Sequence, residues 1–357
     1  MKILRPIGIV AICLVWAAGA MAQISLTPPA AETPPAKQAA KPKARPHTVT
    51  KKPAAAATPK AAAPVAPAAT VTPAPAPDDP NVDLVYGAYQ RGQYKTAFDL
   101  ATKRVQDTGD PKAMTMLGEL YANAMGVKRD YAKAADWYKR ASDGGDREAM
   151  LALAMMRLEG RGGPVNREDA AKLLASSAKL GNPKAAYNLA LLYLDGQTLP
   201  QDLRRAAELL RLAADAGNPE AQYALATFYK EGTGVPKDIE KAVRLLQAAS
   251  LADNVDAEVE YAIALFNGTG TPKNEAAAVA LLRKAARQNS PIAQNRLAWV
   301  LVNGLGAPMD KIEGFKWHIV AKTAGKGDPA LDEAMAQLSP DDRAKAEAAA
   351  RKWLGTK

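Results

Sequence analysis

Apolar residues in the stretch AQYALATFYKEG fall at Ala221, Leu225, Phe228 and Tyr229, the i, i+4, i+7, i+8 spacing of one helical face. The stretch IEKAVRLLQAAS gathers Ala242, Leu245, Leu246 and Ala249 into a second such stripe. Strong helix formers fill both arms, while Gly232, Gly234 and Pro236 stand only between them. No segment sustains a period-two alternation, so the pattern predicts helix, loop, helix and no sheet.

This unit recurs along the chain. Ala113, Ala149, Ala185, Ala221, Ala257 and Ala293 lie 36 residues apart, with no insertion or deletion. Four residues beyond each come Leu117, Leu153, Leu189, Leu225, Tyr261 and Leu297, followed by the small Gly118, Ala154, Ala190, Ala226, Ala262 and Ala298. A fixed period of this size signals stacked supersecondary units sharing one continuous core. The loop GTGVPKD at 232–238 returns as GRGGPVN, GTGTPKN and GLGAPMD, as AMGVKRD at 124–130, and in degraded form as GQTLPQD. A phosphate-cradling loop needs a strand before its glycines and a helix after them. Here the glycines follow a helix, and they read as punctuation. Gly permits the left-handed residue that ends the first helix, Pro blocks continuation, and Asp or Asn caps the second. The predicted caps are Asp130, Asn166, Asp202, Asp238, Asn274 and Asp310.

With these residues in view, the segment AMTMLGELYANAMGVKRDYAKAADWYKRASDGG resembles the Sel-one-like repeat (SLR), a relative of the tetratricopeptide repeat. The resemblance covers 111–326 in six in-phase copies. Its departures are local: Ala124 for the first loop glycine, Arg157 for the usual Tyr, and Gly314 for a packing Ala. It implies an all-α fold, a right-handed α-solenoid of stacked helix–loop–helix repeats. The first helix of each unit would line the concave wall. The ends are atypical, as a stacked array requires. Residues 81–110, with Tyr89, Gly92, Tyr94 and Ala97, resemble a tetratricopeptide hairpin. Residues 327–357 should cap the last repeat, with Ser339 and Pro340 starting a helix whose Trp353 and Leu354 cover the apolar side.

The residues before the array belong to other classes of polymer. MKILRPIGIVAICLVWAAGAMA places Lys2 and Arg5 before an apolar run and Ala20-Met21-Ala22 before Gln23, the layout of a signal peptide cleaved after Ala22. The run from Ile7 to Ala22 is 16 residues, short of the roughly 20 needed to cross a bilayer. Cys13, the only cysteine, falls inside this segment. An exported chain without thiols must rely on a buried core, and it offers little for a metal site. Residues 23–80 form a Pro/Ala/Lys-rich linker, with 14 of the 26 prolines and no aromatic residue between 27 and 80. Such a composition cannot offset the entropy of ordering, so it predicts disorder. Of the net charge of +10, the signal carries two, the linker four and residues 81–357 four. The array itself is only mildly basic, which argues against nucleic acid as its partner.

Counting about 100° per residue around the first helices, the core residues 113, 117, 120 and 121 cluster, and 112, 115, 119 and 122 point away. A surface helix should be polar there. Instead, equivalent positions hold Leu151, Met155 and Leu158, then Tyr187, Leu191 and Leu194. Tyr223, Thr227 and Lys230 follow, then Val259, Ile263 and Phe266, and finally Trp299 with Val302. Such a stripe is either covered by neighbouring helices or lines a groove for a peptide or amphipathic helix, with Tyr and Trp as anchors. Glu159, Asp195, Glu231, Asn267 and Asn303 would rim that groove or mark helix ends.

No serine sits in a nucleophile-elbow context and no metal-ligand spacing occurs. His318 stands where other repeats place Tyr or Leu, and reads as a packed residue. The sequence therefore points to an exported, non-catalytic, monomeric scaffold without cofactors. It would bind a protein or peptide in its concave groove as an adaptor or regulator in the bacterial periplasm. The alternatives are an envelope tether, membrane-bound through an uncleaved N-terminus and reaching ~170 Å through its linker, and a glycan or peptide hydrolase.

Overall fold

The computed structural model describes residues 83–355, so the signal-peptide and linker expectations lie outside the described residues. Sixteen helices and no strand make up the described part. Helices α1 (Leu84–Gln90) and α2 (Tyr94–Thr108) form the first hairpin. Six hairpins follow, all built from 13-residue helices: α3 (Pro111–Asn123) with α4 (Tyr131–Asp143), α5 (Arg147–Glu159) with α6 (Arg167–Lys179), and α7 (Pro183–Asp195) with α8 (Leu203–Asp215). Then come α9 (Pro219–Glu231) with α10 (Ile239–Leu251), α11 (Val255–Asn267) with α12 (Glu275–Arg287), and α13 (Pro291–Asn303) with α14 (Lys311–Thr323). Helices α15 (Pro329–Ala336) and α16 (Pro340–Gly355) close the chain. From α1 to α14 each helix packs chiefly on its neighbours in chain order, the contact pattern of a solenoid, and α16 reaches past α15 to pack on α14.

Local chemistry sets the uniform helix length. The six predicted caps each accept a backbone N–H at the start of a second helix, as Asp238 Oδ1 does from Lys241 N at 2.9 Å. Those backbone donors hold the Asp130 and Asp238 carboxyls below their usual range. First helices end on a left-handed residue: Gly160, Gly196, Gly232, Gly268 and Gly304, with Ala124 taking φ 58° in the first repeat. Each cap also donates its own N–H back to the preceding helix, as Asp238 N does to Tyr229 O at 2.9 Å. Loop and cap thus fix the hairpin angle together.

Alanine and leucine dominate the core. Leu174, Leu210, Leu246 and Leu282 occupy one position of successive second helices and are almost fully buried. Burial of each side chain contributes roughly 1.5–3 kcal/mol. Ser177 fills an alanine position and donates its buried hydroxyl to Arg147 O at 2.7 Å, which keeps its polar atom satisfied. Gly314 is a close-approach position, since a Cβ there would lie 2.7 Å from Val302 Cγ2 and 3.1 Å from Ala298 O. At the C-terminus Trp353 meets Trp317 edge-on at 5.0 Å. Leu354 does not join it in covering the last repeat. It remains 38% exposed, and Ala346 and Ala350 supply the buried face of α16.

Candidate functional site

The first helices α3, α5, α7, α9, α11 and α13 each use one face for the core and leave another toward the stripe read from sequence. Leu151, Met155, Tyr187, Leu191, Leu194, Tyr223, Thr227, Lys230, Ile263 and Trp299 are half-buried. The packing of Leu151, Leu158, Tyr187 and Leu194 against the central alanine–leucine core explains why none stands fully exposed. Val259 and Phe266 are different. They are 3% and 8% exposed, so the structure withdraws them from the groove and assigns them to the core. An angular count around a single helix does not include what packs over it.

Polar groups tie neighbouring first helices together along this face. Tyr223 Oη donates to Glu260 Oε1 at 3.2 Å, and Lys230 Nζ donates to Glu260 Oε2 at 2.7 Å. Tyr223 and Lys230 are therefore held in place by an acid from the following repeat. Burial, then the Glu260 charge, pushes the nearby Asp256 carboxyl up. In the first repeat, Tyr138 Oη donates to Glu119 Oε2 at 2.9 Å and Asn123 Nδ2 donates to Glu119 Oε1 at 2.7 Å. Burial, reinforced by Glu119, drives the Tyr138 phenol far above its ordinary value, so it stays a donor. Gly118 makes room for that ring, because a Cβ there would come within 2.7 Å of it.

Three of the five rim residues make bonds at helix ends. Glu159 pairs with Arg161 at 2.7 Å, Asp195 faces Arg167 at 4.0 Å, and Asn303 Nδ2 donates to Trp299 O at 2.8 Å. Sequence reasoning missed Glu260 and its counterpart one repeat later, Arg296. The signal that could have found them is positional. Both occupy the site of Met116, Ala152, Asn188 and Ala224, where the earlier repeats carry no charge.

His318 is fully buried, with Nε2 at 2.9 Å from Asp332 Oδ1. Lys322 Nζ reaches the same carboxylate oxygen at 2.7 Å and, with His318, holds the Asp332 carboxyl below its usual range. The histidine lies beneath a shallow depression formed with Lys322, Asp332, Met335 and Glu347 between α14, α15 and α16. Its burial places it in the capping interface. Among the described residues no cluster of His, Cys, Asp or Glu has the arrangement of a metal site, and no helix is long and apolar enough to cross a membrane.

The profile of the Sel1 repeat matches six consecutive segments, 111–146, 147–182, 183–218, 219–254, 255–290 and 291–326. Among solved structures, a Sel1 repeat protein from Oxalobacter formigenes is 26% identical, with a TM-score of 0.61, and the match covers 67% of this chain and 98% of that one. A protective antigen of uropathogenic Escherichia coli with an SLR fold is 25% identical, with a TM-score of 0.54, over 75% of this chain and 67% of that one. No curated protein matches the sequence.

Proposed function

Because the chain belongs to the Sel1 repeat family, whose repeats form scaffolds for protein–protein interaction, we propose that it is an exported, non-catalytic adaptor whose first-helix wall holds a segment of a partner protein. The N-terminal signal pattern supports export, and the lack of cysteine beyond Cys13 suits a periplasmic chain stabilised by its core alone.

One contrast carries this reading. The outward faces of the second helices are charged, with Lys139, Lys172, Glu208, Arg211 and Arg244 exposed, as a solvated helix face should be. The corresponding face of the first helices presents Leu151, Met155, Tyr187, Leu191, Ile263 and Trp299, half-buried and apolar. A wall of this kind gains by covering its apolar area with an incoming chain. Tyr187 and Tyr223 are rigid anchors for such a chain, combining large apolar area with a polar tip.

The double variant Tyr187→Ala, Tyr223→Ala should keep its helical spectrum while weakening capture of the partner from an envelope extract by about thirtyfold or more. An unchanged set of co-purifying proteins, with folding also unchanged, would sink the proposal.

A further inference from the structure

At its C-terminal end the first-helix wall breaks its own electrostatic pattern. Glu260 reaches back one repeat to Tyr223 and Lys230, so its charge is fully engaged. Thirty-six residues on, the equivalent trio is Arg296, Val259 and Phe266. Val259 and Phe266 are buried hydrocarbon and can accept no hydrogen bond. Arg296 is half-buried on α13, and among the described residues it makes no hydrogen bond or ion pair. The acid whose charge reaches it is Asp328, and that carboxylate is occupied as the cap of α15, accepting from Ala330 N at 2.9 Å. Burial lowers the guanidinium pKa and Asp328 offsets part of the shift. A guanidinium nevertheless remains charged at neutral pH.

Partial desolvation of a cation with five fixed donors and no acceptor is unfavourable, and a carboxylate seated on the fork would relieve it. One turn along, at i+3, Trp299 is half-buried and supplies an apolar flank. We infer that Arg296 receives an Asp or Glu side chain of the partner segment, with an adjacent apolar residue of that segment packed at Trp299. The inference rests on the scaffold reading above. The net charge of +4 over residues 81–357, together with the unpaired Arg296, favours an acidic segment over a basic one. A side chain is the source, because a chain terminus is captured by a nest of free backbone N–H groups. The middle of α13 has its backbone N–H groups engaged within the helix.

The test is selection on the full chain from two random peptide displays, one holding short segments between fixed flanks and one ending in a free C-terminus. Wild type should enrich internal segments in which Asp or Glu adjoins an apolar residue, on the order of tenfold over their Asn or Gln counterparts. Arg296→Glu should reverse the preference toward Lys and Arg. Arg296→Gln, which keeps the stem, should abolish the preference without reversing it, and it serves should the glutamate variant fail to fold. Apolar segments enriched with no charge preference, or a preference that survives both variants, would overturn this inference and leave the scaffold reading standing. Enrichment confined to free C-termini would overturn the side-chain assignment. No enrichment in either display would overturn both readings.

Discussion

Gly234→Ala should destabilise the centre of the array by about 3 kcal/mol, whereas Gly217→Ala should cost about 1 kcal/mol. Both glycines hold positive φ, 66° and 83°, so alanine at either must adopt the left-handed region. They differ in what a side chain would meet. At Gly217 nothing lies within 4 Å of an added Cβ, and the substitution carries only the conformational penalty. At Gly234 the Cβ would run into the carbonyl oxygen of Leu203, with the Leu203 carbonyl carbon at 2.7 Å and Arg204 N at 3.2 Å. Those atoms are backbone at the start of α8, in the preceding repeat, and cannot rotate away. The second loop glycine is therefore where one hairpin seats on the next. Native-state hydrogen exchange is the right readout, because an array of repeats can open locally without unfolding as a whole. Gly234→Ala should speed exchange at the start of α8 and at the α9–α10 loop. The two variants behaving alike would mean that the seat is soft.

Leu210→Ala should lower stability by about 2–5 kcal/mol, the range for a buried leucine whose cavity cannot collapse. Leu210 is 0% exposed and lies in the core cluster that runs from Ala154 to Phe228, shared between consecutive hairpins. In a one-dimensional array the loss spreads to nearest neighbours and fades beyond them. Exchange should accelerate in α7 through α10 and stay unchanged in α14 and α16. Uniform acceleration over all sixteen helices would argue for a single cooperative globule instead of stacked units.

The hairpins were legible in the sequence because each is a local event. Asp130, Asn166, Asp202, Asp238, Asn274 and Asp310 cap helices through bonds to the residue three positions away, a local event. Ala124 is read correctly as a departure: it still takes the left-handed conformation that glycine fills elsewhere. What the sequence hid depends on more than one helix. Val259 and Phe266 share their helical angle with Tyr223 and Lys230, yet they are buried, a difference that an angular count around one helix does not contain. Glu260 escaped notice for the same reason, as its partners lie 37 and 30 residues earlier. Leu354 shows the third limit: in a helix end with alanine at 346 and 350, burial follows the small residues that let α16 approach, not the larger side chain.

The docking role of the first-helix wall is tested most directly by placing a photo-crosslinking residue at Leu191 on that wall, or at Leu212 on the outer face of α8, which is 46% exposed. With the full chain expressed in cells and irradiated, the Leu191 position should yield a covalent adduct with another protein while the more exposed Leu212 position yields none. Adducts from Leu212 alone, or equally from both positions, would contradict the account.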